Sequence, residues 1–99
     1  MTRHYTYSDL QYGENIENKS IVATEASDTQ ELATASKKLL VRNSGDSDVY
    51  LAFDKSKATI DDFLLKPDDG LVELPVQCKT VSTICAAGLT TSVRINSCY

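Results

Sequence analysis

The chain has 99 residues, of which 41% are hydrophobic and 24% charged, and its net charge is −4. The length suits one domain and excludes two, because domains usually contain about 100–200 residues. The acidity argues against binding to nucleic acid or to an anionic membrane, since both require basic patches. The excess charge lies in the first third, where residues 1–36 hold two basic and six acidic side chains, whereas residues 37–99 hold eight of each.

The N-terminal segment, residues 1–18, is predicted to be an extended arm. Its only aliphatic residues are Leu10 and Ile16, which are too few to form a core. Its tyrosines are Tyr5, Tyr7 and Tyr12. Because tyrosine is enriched in protein interfaces, we expect the arm to dock on a partner protein through these three side chains. The remaining residues, 19–99, are predicted to form one β-sandwich domain.

Targeting signals and disulfides are both expected to be absent. No apolar run reaches the roughly 18–20 residues needed to cross a bilayer, and no apolar stretch follows Arg3. The cysteines are odd in number and lack Cys-x-x-Cys spacing, which favours reduced thiols; they are Cys78, Cys85 and Cys98. A disulfide between Cys78 and Cys98 is the alternative if their strands are neighbours and the protein meets oxidising conditions.

Residues 19–37 allow two predictions. Two strands over residues 20–24 and 30–33, joined by a turn at residues 27–29, are favoured because Thr and Ser residues interrupt any apolar helical stripe. A helix over residues 28–38 is the alternative, since the segment contains several good helix formers.

The segment from residue 38 to residue 53 is the clearest part of the sequence. Residues 38–43 and 48–53 both read as strands, and in the second strand the apolar side chains fall on one face at a period of two. Between them, residues 44–47 contain the glycine, aspartate and serine typical of tight turns. The sequence therefore predicts a β-hairpin over residues 38–53.

The rest of the chain continues as short strands and turns. Residues 54–62 alternate charges and predict a surface loop, with one helical turn starting at Thr59 as an option. Further strands are predicted at 63–65, 71–74, 79–86 and 91–96, with reversals at 66–70 and 88–90. The strand at 79–86 has small or apolar residues on both faces and is expected to be covered on both sides. The predicted fold class is all-β, a small antiparallel sandwich or jelly-roll-like barrel with an extended N-terminal arm.

Catalysis and cofactor binding are not predicted. The single histidine, His4, lies in the arm, and the cysteines lie on or beside strands, where thiols act as small hydrophobic groups. Three acidic pairs could offer oxygen ligands to calcium, namely Asp46 with Asp48, Asp61 with Asp62, and Asp68 with Asp69. Turn chemistry explains these aspartates without an ion, and no nucleotide-binding glycine motif is present. We therefore expect no cofactor, no metal and no enzymatic activity.

A basic pair, Lys37 and Lys38, is predicted to face Arg42 and Arg94 across the sheet. An RNA-binding barrel would place aromatic side chains beside such residues, and only Tyr50 could serve. Because the same region contains as many acidic residues, we interpret the pair as the solvated start of a strand.

Residues 38–53, which include Leu39-Leu40-Val41-Arg42-Asn43 and Val49-Tyr50-Leu51-Ala52-Phe53, resemble a hairpin of small β-sandwich proteins found among virion components of tailed bacteriophages. Residues 63–70, 83–88 and 92–95 are similar to the later elements of that pattern, so the resemblance covers roughly residues 30–96. Two departures are visible: Ala52 stands where glycine is usual, and two aspartates separate Pro67 from Gly70.

The resemblance implies a non-enzymatic building block of a virion, most simply a capsid decoration (cement) protein that stabilises the shell through contacts between subunits. The implied partners are the major capsid protein or other virion proteins and further copies of the chain, with a trimer as one arrangement, and neither nucleic acid nor a membrane. The implied location is the virion, after synthesis in the host cytoplasm. Alternatives are a head-tail connector, a tail or head-fibre accessory protein, and a carbohydrate-binding β module using Tyr50 or Tyr99.

Overall fold

The computed structural model describes residues 15–99, which form eight strands and one 3₁₀ turn. The strands are β1 (Ile16–Ala23), β2 (Asp28–Glu31), β3 (Lys38–Asn43), β4 (Val49–Phe53), β5 (Phe63–Leu65), β6 (Val72–Leu74), β7 (Thr80–Ile84) and β8 (Thr91–Cys98), and the 3₁₀ turn is Pro67–Asp69. Sheet A has the order β1-β8-β3-β6, and sheet B has the order β2-β7-β4-β5.

The strand pairs are nested around the loop between β4 and β5. Antiparallel pairs join β4 to β5, β3 to β6, β2 to β7 and β1 to β8, while β8 with β3 and β7 with β4 complete the two sheets. In this arrangement the first four strands pair with the last four in reverse order, and the paired strands are divided between two sheets. This strand order is that of a jelly roll. The predicted all-β fold, an antiparallel sandwich or jelly-roll-like barrel, is therefore confirmed.

The core lies between the two sheets and is built by alternation along each strand. Leu39 and Val41 of β3 face inward from sheet A, and Val49 and Leu51 of β4 face inward from sheet B. All four are at most 1% exposed. Because side chains of a strand alternate between faces, the residues between them point to the outer faces of the sandwich.

The hairpin predicted over residues 38–53 is wrong, although both of its strands exist. β3 lies in sheet A beside β8 and β6, and β4 lies in sheet B beside β7 and β5, so residues 44–47 cross from one sheet to the other. The connection is held by partners distant in sequence: the Ser44 amide donates to the Ser92 carbonyl at 2.8 Å. Local turn residues indicate a reversal, but they do not specify which strand lies alongside.

The two favoured strands in residues 19–37 are confirmed as β1 and β2, and the alternative helix over residues 28–38 does not form. The turn predicted at residues 27–29 is wrong, because β2 already begins at Asp28 and the connection lies between Ala23 and Asp28. The boundary predicted at residue 18 falls inside β1, whose pairing with β8 starts with Ile16 opposite Cys98. Asn15 and Tyr99 extend this pairing by two hydrogen bonds of 2.7 and 2.9 Å. The rest of the predicted arm, with Tyr5, Tyr7 and Tyr12, lies outside the described residues.

The loop of residues 54–62 is confirmed as a loop, and it folds back onto the outer face of sheet B. Ser82 of β7 donates to the Lys55 carbonyl at 2.7 Å, and Thr29 of β2 donates to the Ser56 carbonyl at 3.0 Å. Ala58, within the loop, is buried, and its amide donates to the Ser27 hydroxyl at 2.9 Å. This cover explains why Ser82 is fully buried on the outer side of β7. The predicted cover on both faces of this strand therefore holds at Ser82 but not at Ile84, which is only half-buried.

Asp62 closes the loop, and we expect its contribution to depend on pH. One carboxylate oxygen accepts a hydrogen bond from Lys55 Nζ at 2.8 Å, and the other accepts one from the Thr59 amide at 2.8 Å. The bond from Lys55, followed by the bond from the Thr59 backbone, lowers the pKa of Asp62 below its ordinary value of 3.8. The stabilisation is therefore complete above that value and is lost as the pH falls through the lowered pKa.

The variant Asp62→Asn tests this pH dependence, because it loses the charge but keeps the size of the side chain. We expect its urea midpoint to lie below that of the wild type at pH 7 and the difference to shrink below about pH 4. Asp61→Asn, at an exposed neighbouring position, is the control and should show neither effect. A difference for Asp62→Asn that stayed constant down to pH 2 would contradict the assignment.

Candidate interaction surfaces

The outer face of sheet B carries a row of three apolar side chains, which we call the apolar row: Ile84, Tyr50 and Leu64. Tyr50 of β4 is the direct partner of Ile84 on β7 and of Leu64 on β5. Its neighbours in the chain, Val49 and Leu51, are buried in the core, so the Tyr50 ring points outward. Directly opposed side chains on one face are about 4.5–5.5 Å apart at Cβ, so the row forms one continuous surface.

The apolar row is left open by the loop that covers its neighbours. Two residues along the strands, Ala52 and Ser82 form the next opposed pair on the same face. Both side chains are buried under the loop of residues 54–62. In the apolar row, by contrast, Leu64 is 37% exposed, and Tyr50 and Ile84 are half-buried. An uncovered apolar strip on a sheet face is a candidate surface for association.

The outer face of sheet A carries a pair of arginines. Arg42 of β3 and Arg94 of β8 are direct partners, and both are exposed. Lys38 lies on the same strand as Arg42, four residues before it, and Lys37 precedes the strand. The structure thus brings the two arginines together. Tyr50 lies on the other sheet, so the described residues do not combine the basic group with an aromatic one.

A concavity of about 220 Å³ adjoins Arg94. Its polar lining includes the side chains of Ser20, Ser44 and Ser92, which come from β1, from the connection after β3 and from β8. Ser20 is the direct partner of Arg94 on the side away from Arg42. Hydroxyl groups and a guanidinium therefore line one depression on this face.

Several of the residues considered for chemistry have a structural role. The three cysteines are buried thiols, and burial raises the pKa of the Cys78 and Cys85 thiols. Asp69 accepts a hydrogen bond from the Lys66 amide at 2.8 Å and thereby closes its turn, as Asp62 does. Among residues 15–99, no group of three His, Cys, Asp or Glu side chains is arranged to hold a metal. His4 lies outside the described residues.

Sequence reasoning missed two members of the apolar row. Tyr50 was recognised as an aromatic residue of the β domain, but Leu64 and Ile84 were assigned only to strands. Their alternation with Leu65 and Cys85 indicates outward positions, yet only the pairing of β4 with both β5 and β7 places them beside Tyr50. Tyr99, the other aromatic candidate, is half-buried at the end of β8.

Within residues 15–99, no helix is long and apolar enough to cross a membrane. No protein-family model and no curated protein sequence matches the chain at a significant level.

Proposed function

We propose that the protein is a non-enzymatic structural component of a phage virion, a capsid decoration protein that stabilises the shell by binding between its subunits. Its partners are the major capsid protein and further copies of the chain, and its place of action is the virion. Jelly rolls occur in viral capsid proteins, although they also occur in lectins and cupins, so the fold alone does not decide between these functions.

The observation that carries the proposal is the apolar row on sheet B. A protein that acts by association requires an apolar strip that stays exposed in the isolated domain and is buried in the assembly. Tyr50 at the centre of the row, between two aliphatic side chains, has the character of an interface anchor, because tyrosine residues dominate the binding energy of many interfaces. Tyr5, Tyr7 and Tyr12 are proposed as additional contacts of the N-terminal arm.

The test is co-sedimentation of the purified protein with capsids of the phage that encodes it, compared between the wild type and Tyr50→Ser. We expect the substitution to weaken particle binding at least about tenfold, because the loss of an interface tyrosine costs roughly 2 kcal/mol or more. The control is Val22→Ser, which removes an apolar side chain that is 65% exposed on the other sheet, and it should bind like the wild type. Circular dichroism must show that both variants are folded.

Two results would overturn the proposal. One is equal particle binding by the wild type and Tyr50→Ser. The other is a protein that ignores capsids and other virion parts but binds glycans through Tyr50, which would instead establish the carbohydrate-binding alternative. Light scattering of the wild type and Tyr50→Ser also shows whether the apolar row holds copies of the chain together.

A further inference from the structure

The arrangement of Arg42 and Arg94 is unfavourable for the isolated domain. Two like charges directly opposite each other in an antiparallel pair destabilise the sheet, whereas an opposite pair at the same place would stabilise it. The two positions are outer-face positions, since their chain neighbours Val41, Asn43, Val93 and Ile95 are all buried. Packing in the core therefore does not require arginine at either position.

No acidic residue of the described chain neutralises the pair. Neither arginine side chain forms an ion pair or a hydrogen bond with any residue of 15–99. On the β6 side, the nearest carboxylate by register is Glu73, which lies opposite Leu40 rather than opposite Arg42. On the β1 side, the partner of Arg94 is Ser20. The two guanidinium groups therefore remain available to an anion from outside.

The surroundings of the pair supply further hydrogen-bond donors. Ser20, Ser44 and Ser92 line the concavity beside Arg94, and all three are exposed. The Ser44 hydroxyl already donates to the Ser92 carbonyl at 3.2 Å, and the other two hydroxyls are not engaged by described residues. Guanidinium groups bind planar oxyanions through paired hydrogen bonds, and neighbouring hydroxyls can complete the site.

We propose that Arg42 and Arg94, together with the hydroxyls of Ser20 and Ser92, bind the carboxylates of an acidic segment of a partner protein. Two adjacent guanidinium groups match two neighbouring carboxylate side chains. A nucleic acid is disfavoured because it requires a longer basic track, and this chain has a net charge of −4. The site is separate from the apolar row, because it lies on the other sheet, and it does not depend on the proposed function.

The experiment uses the full chain and a hexaglutamate peptide as the probe. The Nε–Hε signals of Arg42 and Arg94 are followed by NMR during the titration, and the affinity is measured at low salt for each variant. Both signals should shift in the wild type. The double variant Arg42→Gln/Arg94→Gln should bind at least about tenfold more weakly, because it loses both charged hydrogen-bond donors of the site.

The matched control is Lys57→Gln/Lys66→Gln, which removes the same charge at two exposed positions near sheet B. It should bind the peptide within about twofold of the wild type, a difference of less than 0.5 kcal/mol. Folding is not expected to limit the experiment, since replacing the arginines relieves like-charge repulsion and should leave the urea midpoint equal or higher.

Three outcomes would overturn the proposal: arginine signals that do not move, equal weakening by the arginine and lysine variants, and stronger binding of a short single-stranded oligonucleotide than of hexaglutamate. The second would indicate general electrostatic attraction, and the third would replace the acidic protein segment with a nucleic acid.

Discussion

Replacing Asn43 by alanine is expected to lower the free energy of unfolding by about 3 kcal/mol. Asn43 is only 2% exposed, and its amide group makes four hydrogen bonds. Nδ2 donates to the carbonyls of Ser47 at 2.6 Å and Leu65 at 3.0 Å. Oδ1 accepts from the Gly45 amide at 3.1 Å and from the Thr91 hydroxyl at 2.7 Å.

These bonds link parts of the chain that are far apart in sequence. Leu65 belongs to β5 of sheet B and Thr91 to β8 of sheet A, so one side chain of β3 connects both sheets at the point where the chain crosses between them. Alanine would leave several buried polar groups without partners, and such groups are costly. The loss is large relative to a total stability of about 5–15 kcal/mol.

Urea unfolding followed by circular dichroism measures the effect. Asn43→Asp leaves no cavity but removes both donors, so it should also be strongly destabilised at pH 7. Asn18→Ala, at an exposed position of β1, is the control and should change the stability by less than about 0.5 kcal/mol. A stable Asn43→Asp variant would show that the hydrogen bonds do not hold the connection in place.

Replacing Gly45 by alanine is expected to cost about 2–3 kcal/mol, for a steric reason. An added Cβ would contact the Thr91 hydroxyl oxygen and would lie 2.8 Å from the Ser92 amide nitrogen and 2.9 Å from Thr91 Cα. Two of these three atoms belong to the backbone of β8, which cannot move without disturbing its pairing with β1 and β3. Overpacking against rigid neighbours typically costs about 1–3 kcal/mol.

The same urea measurement tests this expectation, with Asp46→Ala as the control. Asp46 is the exposed next residue of the connection, and its substitution should be nearly neutral. The prediction also separates the observed crossing from a local hairpin. In a hairpin of β3 with β4, an alanine at residue 45 would not meet β8, and a neutral Gly45→Ala would therefore contradict the described structure.

Much of the fold could be predicted from the alternation of apolar and polar side chains along single strands. The predicted range of β3 agrees with the structure, and the strand predicted at residues 91–96 lies within β8. The pairing of strands could not be derived in this way, because it depends on contacts across the whole chain. Residues 44–47 show the difference: their composition indicates a change of direction, but the backbone partner of Ser44 and the atoms packed against Gly45 lie on β8.

The composition of the candidate surfaces likewise depends on strand pairing, which the sequence did not reveal. The lysine pair was expected to face Arg42 and Arg94 across the sheet, but Lys38 is on the same strand as Arg42, and the residue opposite Lys38 on β8 is Cys98. That Arg42 and Arg94 lie opposite each other was not predicted. Tyr50 could be recognised as an aromatic residue of the domain, but its position between Ile84 and Leu64 depends on which strands flank β4. The role of Asn43 could not be predicted, since two of its four partners, Leu65 and Thr91, belong to distant segments whose positions were unknown.

The nested strand order also constrains how the domain reaches its native state. The innermost pair, β4 with β5, closes a short loop, and each pair outside it joins segments more distant in sequence, up to β1 with β8. Closing longer loops costs more chain entropy, and topologies dominated by distant contacts fold slowly. The pairing of β1 with β8 therefore depends on an interior that is already assembled, and it belongs to the latest steps of folding.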